Sequence, residues 1–187
     1  MNVGVIPKTF EQLYGQPCWG LHDDSQLNLS INFGQPSLDI REPFQTNSNA
    51  EIVRQMAARR CVTVRGEWWL WFHSSYWRIS SQNQRLATSS SSDKQIDRAI
   101  RHLDGQRLIS VQVHPKTGAT RFAFDLGGVL ECRRIQRDSD RELWDLYKPS
   151  GYVLCVYGNG TFTHQRGTTA LQAAHHRRIS DGRIIPS

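Results

Sequence analysis

The second half of this chain repeats features of its first half, in the same order. Gly15-Gln16 recurs as Gly105-Gln106, and Leu29-Ser-Ile-Asn-Phe-Gly34 recurs as Phe122-Ala-Phe-Asp-Leu-Gly127. Glu67-Trp-Trp-Leu-Trp-Phe72 recurs as Glu142-Leu-Trp-Asp-Leu-Tyr147. Matches that keep their order point to two copies of one supersecondary unit. The offset between matches runs 90, 93 and then 75, which places eighteen extra residues in the first copy, at Pro43 to Arg60. Each copy is too small to bury a large core alone. The copies are therefore expected to pack on one another in a pseudo-two-fold arrangement.

The second copy reads most easily. Ile96, Ala99, Ile100 and Leu103 recur at helical spacing, with Ser92 as N-cap and Gly105 as terminator. Alternating segments follow at 108–113, 121–126, 129–133, 142–147, 152–157 and 161–164, divided by Pro115-Lys-Thr-Gly118, Gly127-Gly128 and Gly158-Asn-Gly160. The first copy gives strands near 17–22, 26–33, 37–41, 61–65, 68–72 and 76–80, with a short helix in 47–60 whose apolar face is Ile52, Val53 and Met56. The expected fold class is mainly β (α+β): two tandem antiparallel β-meander units joined by a helix. The units span residues 1–88, with the insertion at 43–60, and 89–166. A basic tail, 167–187, holds a helix over 170–179.

Cys18, Cys61, Cys132 and Cys155 are widely spaced with no CxxC, which argues for reduced thiols rather than a zinc or redox motif. No secretory leader or membrane-length apolar run is seen, so a cytoplasmic location is expected. Net charge is +6, concentrated in Arg133, Arg134, Arg137 and Arg141 and in Arg177 and Arg178. Such a balance suits nucleic acid, anionic lipid or acidic proteins.

No catalytic signature emerges. Cys18, His22 and Asp24 are the densest reactive group, but they fall at a turn where Asp-Asp-Ser is ordinary. The histidines show no HxxxH or HxxE pattern, so no metal or cofactor is expected. The tryptophans say more. In Trp68 to Phe72, period-two alternation sends Trp69 and Trp71 to one face and Trp68, Leu70 and Phe72 to the other. Setting Trp69 on Trp144 makes the first face the core and leaves Trp68, Leu70 and Phe72 as an apolar face needing a cover. If exposed, that face is the leading binding surface.

The pattern L-x-G-Q-x-L at Leu103 to Leu108, F-x-F-x-x-G at Phe122 to Gly127 and W-x-L at Trp144 to Leu146 resembles small bacterial β-rich domains of the polymorphic-toxin immunity type. The resemblance implies a non-enzymatic protein-binding module that neutralises a toxin by direct contact, and it supplies no catalytic residues. A pI near 9.5 favours an acidic toxin domain as partner. The binding residues expected are Trp68, Leu70, Phe72, Arg133, Arg134, Arg177 and Arg178. The alternatives are a nucleic-acid-binding protein using its Arg-rich elements, and a hydrolase centred on Cys18, His22 and Asp24.

Overall fold

The computed structural model describes residues 4–25, 28–73, 75–135, 140–168 and 175–179. Along the first half run α1 (Val5–Phe10), β1 (Trp19–Ser25), β2 (Asn28–Arg41), α2 (Glu51–Ala57), β3 (Cys61–Phe72), β4 (Tyr76–Ser81) and β5 (Gln84–Thr88). The second half contributes α3 (Asp93–Leu103), β6 (Leu108–Val113), β7 (Thr120–Phe124), β8 (Gly128–Arg133), β9 (Glu142–Tyr147), β10 (Tyr152–Tyr157), β11 (Thr161–Arg166) and the short β12 (Arg177–Arg178). The fold is mainly antiparallel β, as expected. Helix α3 begins at Ser92, whose backbone N–H donates to the Gln95 side chain at 3.3 Å, and it buries Ile96, Ala99, Ile100 and Leu103.

Two sheets form, in the orders β1-β2-β3-β9-β10-β11-β12 and β5-β4-β8-β7-β6. Each takes strands from both halves. The chain leaves the seven-stranded sheet after β3 to enter β4, and leaves the five-stranded sheet after β8 to enter β9. As a result β3 pairs with β9, and β8 pairs with β4. The halves are interleaved around one core, to which both sheets, α1 and α3 contribute. At its centre Phe72, Phe122, Trp144 and Phe10 meet edge to face with centroids 5.7–6.0 Å apart. The Trp144 indole N–H is satisfied by Thr120 Oγ1 at 2.8 Å.

The two Gly-Gln pairs meet face to face through reciprocal hydrogen bonds. Gly15 N donates to Leu108 O at 2.8 Å, and Gly105 N donates to Cys18 O at 2.7 Å. Leu108 N donates to Gln16 O and Cys18 N to Gln106 O, at 3.0 and 2.9 Å. Gly15 and Gly105 have φ of +80° and +84°, a region costly to residues bearing a Cβ.

The third sequence match has a different meaning. β3 and β9 are hydrogen-bonded neighbours, with Leu70 opposite Leu146 and Phe72 opposite Trp144. The strand that stands to β3 as β9 stands to β8 is β4, where fully buried Trp77 lies opposite Cys132. Directly opposed residues share a sheet face, so Trp68, Leu70 and Phe72 lie on the core side with Trp144 and Leu146. They are 5 %, 1 % and 0 % exposed. The expected face assignment is thus inverted, because a one-residue slip in register moves every side chain to the other face.

They belong to the core that both sheets, α1 and α3 share, and Phe72 meets Phe122 of the five-stranded sheet edge to face. β2 and β3 are each continuous and twice as long as the core requires, and their pairing is interrupted between Phe33 and Pro36. Up to Phe33 and from Trp68 onward, alternate or successive residues are buried; residues 35–64 are mostly exposed. The segment 35–65 therefore projects as a two-stranded arm, closed at its tip by α2. Ile52, Val53 and Met56 of α2 are all exposed, and Ala57 alone of that helix is buried. In the tail, residues 170–174 lie outside the described residues. Arg177–Arg178 is a strand paired to β11, where a helix was expected.

Candidate functional site

The arm's two faces differ sharply. Register sets Leu38 opposite Val64 and Ile40 opposite Val62, so these four form one apolar stripe. Ser37, Asp39, Arg41, Cys61, Thr63 and Arg65 occupy the opposite face by the same alternation. On that face Arg65 Nε pairs with Asp39 at 2.7 Å, and near the tip Arg60 pairs with Glu42 at 2.9 Å. Arg41 donates to Met56 O at 3.3 Å, and Phe44 N to Ala57 O at 2.9 Å, which fastens α2 to the ribbon.

Eight of the eleven exposed large apolar side chains among the described residues belong to this arm: Leu38, Ile40, Phe44, Ile52, Val53, Met56, Val62 and Val64. A lone two-stranded ribbon is marginally stable and needs a layer on its apolar face. Taking ~100 Å² per fully exposed side chain, these eight present roughly 450 Å² of apolar surface. That falls within the roughly 300–600 Å² of the largest apolar patch on a typical monomer, a patch that is often functional. It also matches the apolar share of a standard interface, a little over half of about 800 Å² per partner.

The seven residues expected to bind fall in three separate places. Trp68, Leu70 and Phe72 are core, so they offer no surface. Arg133 is exposed at the end of β8 with its guanidinium 4.3 Å over the Tyr76 ring, and Arg134 beside it is half-buried. Arg177 and Arg178 are exposed on β12, at the edge of the other sheet. On the outer face of the five-stranded sheet a pocket of about 500 Å³ gathers Arg78, Arg85 and Arg121. There Glu131 lies between Arg78 and Arg121 in register and ion-pairs with Arg78, so basic charge is interleaved with acid. Cys18 is fully buried, donates to Leu103 O at 3.2 Å and is pushed up to about 12 by burial and by Asp104, which suppresses a thiolate nucleophile. His22 is exposed.

The sheet face opposite the core holds a second arrangement, which the sequence reading missed. Along β3 an aromatic ladder runs outward-facing: the Arg65 guanidinium lies 3.9 Å over Trp69, Trp69 stacks on Trp71 at 5.2 Å, and Trp71 meets His73 at 4.2 Å. Tyr147 of β9 stacks on Trp69 at 4.7 Å. At the end of the ladder His73 Nε2 and Asp145 Oδ2 are 2.9 Å apart. Glu142 completes the group, and one donor atom from each of the three lies within 4.8 Å of the others.

A bulge creates this convergence. Asp145 lies opposite Cys155 and Glu142 opposite Tyr157, while Leu143 is the extra residue of β9. Cys155 and Tyr157 share a face, so Glu142 joins Asp145 where unbroken alternation would have turned it into the core. Burial lowers the His73 pKa, but the hydrogen bond to Asp145 and the charges of Asp145 and Glu142 outweigh it, and the net shift is upward. Tyr147 is pushed up to about 12, by burial first and then by Asp145 and Glu142. Burial and the same carboxylates also push the Cys155 thiol up, and burial, Cys155 and Glu142 push the Tyr157 phenol up.

Among the described residues, no helix is long and apolar enough to cross a membrane. Comparison of the chain with protein-family models, curated proteins and solved structures finds no match.

Proposed function

We propose that this chain is a non-enzymatic protein-binding module that engages an acidic partner protein through the apolar arm of residues 35–65. The observation that carries this reading is the Leu38/Ile40/Val62/Val64 stripe, which is 52–66 % exposed on a ribbon with no covering layer among the described residues. Charge selects the occupant. The arm has five arginines against three carboxylates, on a chain of net charge +6. Two basic copies repel at close range, whereas an apolar surface with an acidic rim is attracted and steered. A toxin domain neutralised by direct binding, the partner type implied by the immunity-protein resemblance, would meet these requirements if its contact surface were acidic.

The test pairs wild type with a Leu38→Asp/Val64→Asp variant in affinity capture from the native host. A stoichiometric acidic protein retained by wild type and lost by the variant is the expected result. Recovery of nucleic acid alone overturns the reading, as does a dimer of the purified chain by light scattering that the variant abolishes.

A further inference from the structure

We propose that His73, Asp145 and Glu142 form a binding site for a divalent transition-metal ion of the zinc class, with the remaining coordination position open to water. The site is separate from the arm: it lies where the end of β3 meets the bulged start of β9.

The donor set fits. One imidazole nitrogen and two carboxylates is a borderline combination suited to zinc, and three protein ligands with one open position is the usual arrangement of a non-structural zinc site. Donors on one tetrahedral zinc stand roughly 3.4 Å apart. His73 and Asp145 are already at 2.9 Å, and all three donors lie within 4.8 Å, so side-chain rotation alone closes the set. A metal ion would replace the proton that now links His73 to Asp145.

A second observation points independently to a cation at this place. Asp145 is only 8 % exposed and its Oδ1 is buried without a well-formed hydrogen bond; besides His73, the weak S–H donor of Cys155 is what serves this carboxylate. Native structures rarely leave a buried acceptor so poorly satisfied. Glu142 is contacted by the Tyr157 hydroxyl at a long 3.4 Å. No lysine or arginine among the described residues forms an ion pair with either carboxylate, and Arg65 is engaged with Asp39. Two carboxylates beside one imidazole thus leave an excess of negative charge in a shielded place, which a divalent cation neutralises.

The experiment is calorimetric titration of the EDTA-treated full chain with ZnCl2, with Co2+ as a spectroscopic probe. Wild type is expected to bind one Zn2+ per chain. Asp145→Asn is expected to weaken binding at least 100-fold, and Glu142→Gln at least tenfold. Co2+ should show d–d absorption and quench tryptophan fluorescence, since Trp71 lies against His73. A His175→Ala/His176→Ala variant, which removes the exposed histidine pair, should bind as wild type does. Absence of one-to-one binding, unchanged affinity in both carboxylate variants, or loss of binding in the His175/His176 variant each overturns the proposal. If Asp145→Asn fails to fold, Glu142→Gln, at a partly exposed position, decides the matter.

Discussion

Two leucines on one β-hairpin offer a direct measurement of where the core ends. Leu70 on β3 is 1 % exposed and lies opposite Ile31; Leu38 on β2 is 66 % exposed and lies opposite Val64. The same substitution at each should have very different consequences. Leu70→Ala removes buried methyl groups and leaves a cavity beneath the five-stranded sheet, at a cost of about 2–5 kcal/mol. Against a typical total of about 5–15 kcal/mol this is severe. For a chain of this size it corresponds to a fall in Tm of roughly 5–15 °C. Leu38→Ala takes apolar surface out of water contact rather than out of a core, and should change stability by no more than about 0.5 kcal/mol. Urea unfolding followed by tryptophan fluorescence, at protein concentrations spanning two decades, reads both. A cost of 2 kcal/mol or more for Leu38→Ala would refute the reasoning. If independent of concentration, it would mean the arm is covered within the chain; if dependent on it, that copies cover one another.

Two further outcomes follow from local geometry. Gly118 has φ +63°, and a Cβ there would collide with the Tyr157 carbonyl; Gly15 has φ +80° but open space around it. Gly15→Ala should therefore cost about 1–2 kcal/mol from backbone strain alone, and Gly118→Ala measurably more, read as urea midpoints. His164 titrates below its usual value of 6.5 because of burial first, and then the positive charges of Lys148, whose Nζ is 3.3 Å from His164 Nε2, and Arg177. The unfolded chain then binds the proton more readily than the folded one, so His164 causes stability to fall as pH drops through 6.5. An NMR titration should place the His164 midpoint below 6.5, and Lys148→Met should raise it. A midpoint at or above 6.5 in wild type would contradict the packing described.

Much of the architecture was legible because it depends on local rules. Helix α3, its Ser92 start and Gly105 stop, α2, and most strand positions follow from periodicity and turn residues, which act over a few neighbours. Two strands were read as four because the turn-like residues Gly34 to Pro36 and Gly66 mark a change from buried to exposed ribbon rather than a break in the chain. The candidate sites were far less legible. The aromatic faces of β3 were assigned the wrong way round, since alternation shows that Trp68, Leu70 and Phe72 share a side without showing which side is inside. That depends on pairing with β9, seventy residues later, and an ungapped match of Glu67 to Glu142 supplied the wrong register.

The same physical reason separates what the sequence determined from what only the tertiary structure decided. Period-two patterning, glycines at left-handed turns and a capped amphipathic helix commit this chain to antiparallel sheets before any long-range contact is known. They do not say that β3 and β8 each hand the chain to the opposite sheet, nor that the insertion extends a ribbon into solvent instead of folding back as a lid. His73, Glu142 and Asp145 have no spacing that a sequence could advertise. They converge because β3 pairs with β9 in one register and because a single extra residue, Leu143, turns Glu142 outward. Backbone pairing energy is nearly independent of which strand supplies the partner, so the choice is made by side-chain packing across the whole core.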